Sequence, residues 1–367
     1  MNNSNATRRF FRTYEAVPVG ATPVQPNIPP DDDEPNIEET VDLNIEIEAD
    51  QWAGQIILET PAKPDEIPLR FIDGSQRGQP ILCLRSPLGW PIPLILSEVG
   101  AVALKSVGRS FEREFVHVER VLSFVADPFP WNEVEALAND LLNRPEIQLR
   151  LLPANRPKEE HSPFDYEVMR TQARARTQQE MTTLERLALA VDPHTPTLVD
   201  GPLNRVMYSQ KVEALRIGVV KQQAANYLHE QGWRTLLSLK PAHRTPVFRY
   251  ESKGLDGGRF PVASWFLKLA GGPAIAPNWG FVRVEVPWLQ FLKRVKIQKP
   301  DTDFGFVNRL SRWLIDARCR TDSYARMPVS LEPIVRAEDA LKPLFSSMPV
   351  LVNRLYRTAG LFRSDES

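Results

Sequence analysis

Residues 69–78 read "LRFIDGSQRG": an apolar run that stops on an aspartate, a glycine and a serine. Asp-Gly is the commonest two-residue hairpin turn, so Asp73 reads either as a hairpin corner or as a carboxylate held at the end of a buried strand to grip a metal ion. The ten residues alone leave both readings open. What surrounds them has to separate the two.

Working outward, "LNIEIEAD" (43–50), "PLRFIDGS" (68–75), "PILCLRS" (80–86) and "PIPLILSEVGAVALKSV" (91–107) form a run of apolar segments punctuated by Pro and Gly. Such spacing predicts neighbouring strands in an antiparallel meander. Helical periodicity follows in "WNEVEALANDLLN" (131–143), and a longer helix is expected from about Asp165 to Val191. "TPTLVDGPLN" (195–204) is a short apolar strand, after which helical and strand segments alternate to "FVRVEVP" (281–287). The end is helical, in "FVNRLSRWLIDARCR" (306–320) and "LEPIVRAEDALKPLF" (331–345). A meander, a helix, another strand and mixed elements afterward predict an α/β fold with a mixed sheet. No fixed-period repeat, Rossmann glycine fingerprint or P-loop is present in the sequence.

Composition narrows the class. With 367 residues, 42% hydrophobic and 25% charged, the chain suits one large or two modest globular domains. There is no run of eighteen apolar residues, and "MNNSNATRRFFRTYEAVPVG" (1–20) lacks a secretory h-region, so a soluble, cytoplasmic protein with no membrane partner is expected. Two distant cysteines and five scattered histidines give neither a disulfide framework nor a zinc site. Residues 16–40 are rich in Pro and acid, too poor in apolar groups to offset chain entropy. The expected division is a disordered arm over 1–40 and a folded domain over 41–367. Residues 1–60 carry 12 acids and 3 bases, whereas residues 204–300 carry 16 bases and 5 acids. That basic half is either a solvated face or a surface for nucleic acid.

Asp73 follows "PLRFI" and Asp200 follows "TPTLV", each preceding a glycine, so one pattern is used twice. Asp256, in "ESKGLDGGRF", has no strand leading into it and reads as a turn. For Asp200 the bland alternative is a helix N-cap. On the 165–191 helix, Met181, Leu184, Leu187, Ala188 and Val191 fall on one face at 100° per residue, with Glu180 near its middle and Glu185 off the stripe, facing water. Glu180 is therefore the expected functional acid of this helix, its alternative being a core pair with an arginine. Three such carboxylates repel unless cations neutralise them, and an all-oxygen set suits Mn²⁺ or Mg²⁺. Two ions about 4 Å apart would serve phosphodiester hydrolysis. Lys221, ending the apolar run "RIGVVK", either meets a phosphate or caps a strand with solvent-facing charge. "FRYESK" (248–253) and the pair Trp265 and Phe266 interleave aromatics with bases, as stacking platforms for single strands do, or else fill the core.

With "FIDGS", the helix bearing Glu180, "TLVDGPL", "IGVVK" and "FVRVEVP" in this order, the sequence resembles the NurA nuclease family over roughly residues 41–345. The resemblance implies an RNase H-like core, manganese-dependent cutting of DNA, and Asp73, Glu180 and Asp200 as metal ligands. It also implies single-strand 5′→3′ exonuclease and endonuclease activity, a homodimer, and a HerA-type hexameric translocase as partner in DNA-end resection. The family's tyrosine-proline pair and later histidine are not matched: Met327 precedes Pro328, and no histidine follows His243. Glu338, between Ile334 and Leu341 on the apolar side of the final segment, is the candidate for a fourth oxygen ligand, or a helix-surface acid. The alternative function is a catalytically inactive RNase H-like subunit that binds DNA or scaffolds a translocase.

Overall fold

The computed structural model describes residues 6–19, 41–57, 60–156, 166–207, 213–221, 228–254, 257–271, 279–298, 301–320 and 329–361. In chain order the elements are α1 (Ala6–Thr13), β1 (Val17–Pro18), β2 (Val41–Asp42), β3 (Gln55–Ile56), β4 (Arg70–Arg85), β5 (Pro91–Val107), β6 (Ser110–Val125), α2 (Trp131–Leu142), β7 (Arg150–Ala154), α3 (Tyr166–Val191) and β8 (Thr197–Asp200). They continue with β9 (Arg216–Val220), α4 (Glu230–Ser238), β10 (His243–Arg244), β11 (Phe248–Lys253), β12 (Arg259–Lys268), β13 (Phe281–Pro287), α5 (Trp288–Arg294), α6 (Gly305–Asp316), α7 (Glu332–Leu341) and α8 (Met348–Ala359).

The chain does not turn at Asp73. Asp73 and Gly74 lie inside β4, which pairs with β5 from Arg70↔Lys105 to Arg85↔Pro91. The two segments expected over 68–75 and 80–86 are one 16-residue strand. Its reversal comes later, at Ser86–Trp90, where Gly89 takes φ +82°. Glycine inside a strand marks close approach as well as turns. A Cβ on Gly74 would stand 2.4 Å from Glu185 Oε1, and one on Gly78 would stand 2.2 Å from Ser97 Oγ. Packed neighbours, and not a bend, require both glycines.

The strands order as β2-β11-β12-β13-β9-β8-β4-β5-β6-β7. The antiparallel meander β4-β5-β6 is followed by β8, parallel to β4, and β9, parallel to β8. This is the mixed sheet of the α/β fold expected from the sequence. β13, β12 and β11 extend it antiparallel on one side, and β7 runs parallel to β6 on the other.

Helices cover both faces, each burying the side chains that strand alternation sends toward it. Ala188 and Leu189 of α3 pack with Ile72 and Val199, and Leu184 packs with Val99 and Ala101. On the opposite face Ile334 of α7 packs with Phe71 and Leu198, and Ala337 and Leu341 pack with Val102 and Leu104.

The packing corrects one expectation and decides one open alternative. The folded part reaches past the expected boundary at residue 41, because α1 buries Phe10 and Phe11 in a cluster with Val134 and Leu137 of α2 and Leu351 and Leu355 of α8. The phenylalanines supply the apolar area that the Pro- and acid-rich stretch lacks. Residues 20–40 lie outside the described residues, as do Asp256, Met327 and Pro328. Second, the aromatics of the basic half are core: Phe248, Tyr250, Trp265 and Phe266 are all buried. Several of its cations are also internal. Arg244 forms a bidentate pair with Glu46, and Arg216 donates to the carbonyls of Asp192, Pro193 and Thr195. No described helix is long and apolar enough to cross a membrane.

Candidate metal centre

β4 and β8 run parallel with Ile72 opposite Val199, so the next residue on each strand, Asp73 and Asp200, is carried to the same face. Adjacent strands lie about 4.8 Å apart, which sets the two carboxylates side by side. Glu338, two turns into α7 on that face, completes the set: one carboxylate oxygen from each of Asp73, Asp200 and Glu338 lies within 4.8 Å of the others. Asp73 is buried, while Asp200 and Glu338 are partly open at 18% and 16% side-chain exposure. The structure thus brings together three of the acids singled out from the sequence.

Lys221 follows β9, the strand next to β8, and its Nζ donates to Asp200 Oδ2 at 2.8 Å. Its side chain is 8% exposed, so it does not cap the strand with solvent-facing charge. Lys342, one turn beyond Glu338 on the chain, donates to Glu338 Oε2 at 3.0 Å. Asp73 has no such relief. Its Oδ2 is buried without a hydrogen-bond partner. Burial, then the charge of Asp200, push the Asp73 carboxyl well above the usual carboxylate range; Lys221 opposes this, and Glu338 and Glu185 add to it.

Glu180 does not join the group. It lies on the buried side of α3, as the sequence suggested, but it is paired there with Arg150 of β7 and with Arg176, whose Nη1 stands 3.3 Å from Glu180 Oε2. Glu185 is the acid of α3 that approaches the site, against the expectation that it faces water. It is buried, accepts the Gly74 N–H, and fills the space a side chain on Gly74 would take. Five helical residues separate the two by about 7.5 Å of rise and about 140° of rotation, so Glu180 meets β7 while Glu185 meets β4.

The misplacement has a traceable cause. Leu187 and Val191, counted as core, are each 52% exposed, and the stripe that meets the sheet is Met169, Ala173, Thr177, Glu180, Leu184 and Ala188. A stripe seeded on these small residues puts Glu185 about 60° from Ala188 and about 40° from Leu189, on its flank. That signal was available in the sequence.

Glu185 belongs to the opposite face of the sheet from Glu338, yet it shares the electrostatics of the group because β8 ends at Asp200 and leaves β4 open beside Gly74. Burial and Asp200 push the Glu185 carboxyl up to about 8, against Arg205, Arg186 and the Gly74 N–H. Two buried arginines fix the connection carrying these acids. Arg70, three residues before Asp73, donates to the carbonyls of Ala188 (2.5 Å), Leu189 (3.4 Å) and Asp192 (3.4 Å), closing the end of α3, and Arg216 holds the loop from Asp192 to Thr195.

A divalent cation fits this donor set. Hard ions take oxygen ligands, and an unpartnered buried oxygen on a carboxylate grouped with two others is the kind of polar atom whose desolvation a cation would offset. Fold and site together define a mixed α/β protein with an acidic cluster where the parallel pairing of β4 and β8 ends. The chain is similar to the NurA nuclease from Sulfolobus solfataricus in its crystal structure, with a TM-score of 0.41 and 12% sequence identity over 84% of this chain and 86% of that one. No protein-family model matches the chain, and no curated protein sequence matches it.

Proposed function

We propose that this protein is a divalent-metal-dependent nuclease that hydrolyses phosphodiester bonds in DNA, with Asp73, Asp200 and Glu338 as its metal-holding carboxylates. The observation that carries the reading is the buried, unpartnered Oδ2 of Asp73 in a cluster whose three carboxylate oxygens lie within 4.8 Å. A bound Mn²⁺ or Mg²⁺ would supply Lewis acidity and lower the pKa of water.

The chain's own groups have definable parts. A cation held by Asp73 would oppose the burial and the Asp200 charge that push its carboxyl up, and so favour the ionised form that a ligand needs. Lys221 sets an ammonium at the rim of the cluster, where it meets a phosphate oxygen as a point charge. Glu185 stands behind Gly74 as the acid of α3 whose electrostatics are linked to Asp200 and Asp73, outside the three metal-holding carboxylates. The finer reading, a homodimeric single-strand 5′→3′ exonuclease and endonuclease working with a HerA-type translocase, rests on the resemblance of the ordered sequence motifs.

The test is cleavage of a single-stranded oligonucleotide with Mn²⁺, beside Mn²⁺-induced thermal stabilisation. Asp73→Asn and Asp200→Asn should fold, lose cleavage by orders of magnitude and lose the thermal shift. Wild-type cleavage by both variants would refute the assignment. A second reading, a DNA-binding subunit without catalysis, is favoured by one observation: Lys221 and Lys342 already neutralise two of the three acids. It is distinguished by salt-sensitive DNA binding with no Mn²⁺-dependent thermal shift.

A further inference from the structure

Glu285 is a fully buried carboxylate in β13, two strands from β8, and the chemistry above makes no use of it. Its Oε1 accepts from Arg283 Nη2 at 2.8 Å and from the Tyr250 hydroxyl, while its Oε2 accepts the Leu203 N–H at 2.9 Å. Burying a carboxylate is costly unless several donors satisfy it, so this side chain is held firmly by three elements. One of the three is the segment that leaves Asp200.

To reach Leu203, Glu285 has to look past β9. Its register partner there is Gly218. A Cβ on Gly218 would stand 2.8 Å from the Gly201 carbonyl oxygen and 3.0 Å from Leu203 Cγ. The absent side chain is the space in which the Gly201–Leu203 segment lies. Gly201, at φ +125°, turns the chain across this gap and donates its N–H to the Val219 carbonyl at 2.9 Å. Asp200 is thus followed by two anchored amides, Gly201 on β9 and Leu203 on Glu285. The 3₁₀ turn that starts at Leu203 ends at Arg205, whose charge acts on Glu185.

We infer that Glu285 is a positioning residue for the metal centre: through the Leu203 amide it fixes the backbone after Asp200, and with it the direction of the Asp200 carboxylate toward Asp73 and Glu338. The inference rests on the reading of Asp200 as a metal ligand. Outer partners that orient metal ligands typically change metal affinity by about 10–100-fold when altered.

The experiment is a Mn²⁺ titration of the full chain, followed by the electron paramagnetic resonance signal of free Mn²⁺, at a temperature well below the melting point of every variant. Glu285→Gln leaves one oxygen to serve three donors and should weaken Mn²⁺ binding about tenfold. Glu285→Leu should weaken it further; if that variant does not fold, Glu285→Gln decides. Mn²⁺ affinity within twofold of wild type in Glu285→Gln, whatever its melting point, overturns the positioning role and leaves the metal centre standing. A wild-type chain that binds no Mn²⁺ overturns the metal centre itself, and the positioning role with it.

Discussion

Replacing Glu185 with glutamine should change how stability depends on pH, in a direction the burial of this side chain dictates. The Glu185 carboxyl is pushed from 4.5 up to about 8 by burial and by Asp200. Between those values the folded chain holds a proton that the unfolded chain has released. The stabilisation is fully present below the unfolded pKa and is lost as pH rises through the folded one. One proton corresponds to about 1.4 kcal/mol per pH unit, so metal-free wild type should lose about 3–4 kcal/mol between pH 5 and pH 8 through this group alone. Asp73, raised in the same direction, steepens the wild-type slope further. Glutamine keeps an oxygen for the Gly74 N–H but cannot ionise. Urea unfolding in chelator at pH 5, 6, 7 and 8 should therefore show the Glu185→Gln chain gaining on wild type by about 3–4 kcal/mol across the series. If the difference between the two proteins is the same at pH 5 and pH 8, Glu185 is not a buried, protonated acid, and its placement beside Gly74 is wrong.

Three further outcomes are expected. Gly74→Ala puts a methyl 2.4 Å from Glu185 Oε1 and should cost about 1–3 kcal/mol, with most of the loss recovered when Glu185 is also alanine; additivity in a double-mutant cycle argues against the contact. Glu180→Gln should lower stability by about 1–3 kcal/mol by weakening its pairs with Arg150 and Arg176, yet leave the Mn²⁺ thermal shift intact, and loss of that shift would return Glu180 to the site. Phe11→Ala should cost about 3–5 kcal/mol in urea unfolding, because α1 is part of the core between α2 and α8, and a cost under about 1 kcal/mol would detach that helix.

The opening aspartate shows how far local reading carries. An apolar run ending in Asp-Gly occurs at Asp73 and again at Asp200, and in the structure the two runs are neighbouring parallel strands in register. What a ten-residue window could not show is why Gly74 is glycine. The side chain that excludes a Cβ there comes from α3, far along the chain, so a strand glycine looks the same as a turn glycine until the helix is docked.

The buried face of α3 is obscured in its sequence for a related reason. Large apolar residues mark a helix face that needs deep burial, whereas α3 lies close on the sheet and meets it with Ala173, Thr177 and Ala188, leaving Leu187 and Val191 half exposed. Charge was similarly ambiguous: the basic excess over 204–300 includes Arg216, Arg244 and Arg283, which are buried and bonded within the fold.

By itself the sequence determined the mixed α/β class, the strands bearing Asp73 and Asp200, the helix bearing Glu338, and the all-carboxylate character of the candidate site, because periodicity and residue type are local properties of the chain. The tertiary structure alone decided which acids share one space. Whether Glu180 or Glu185 meets Asp200 depends on how α3 is rotated and seated, and that is set by the sum of its contacts with β4, β5, β6 and β7, through the Gly74 gap, the Arg150 pair and the Arg70 cap.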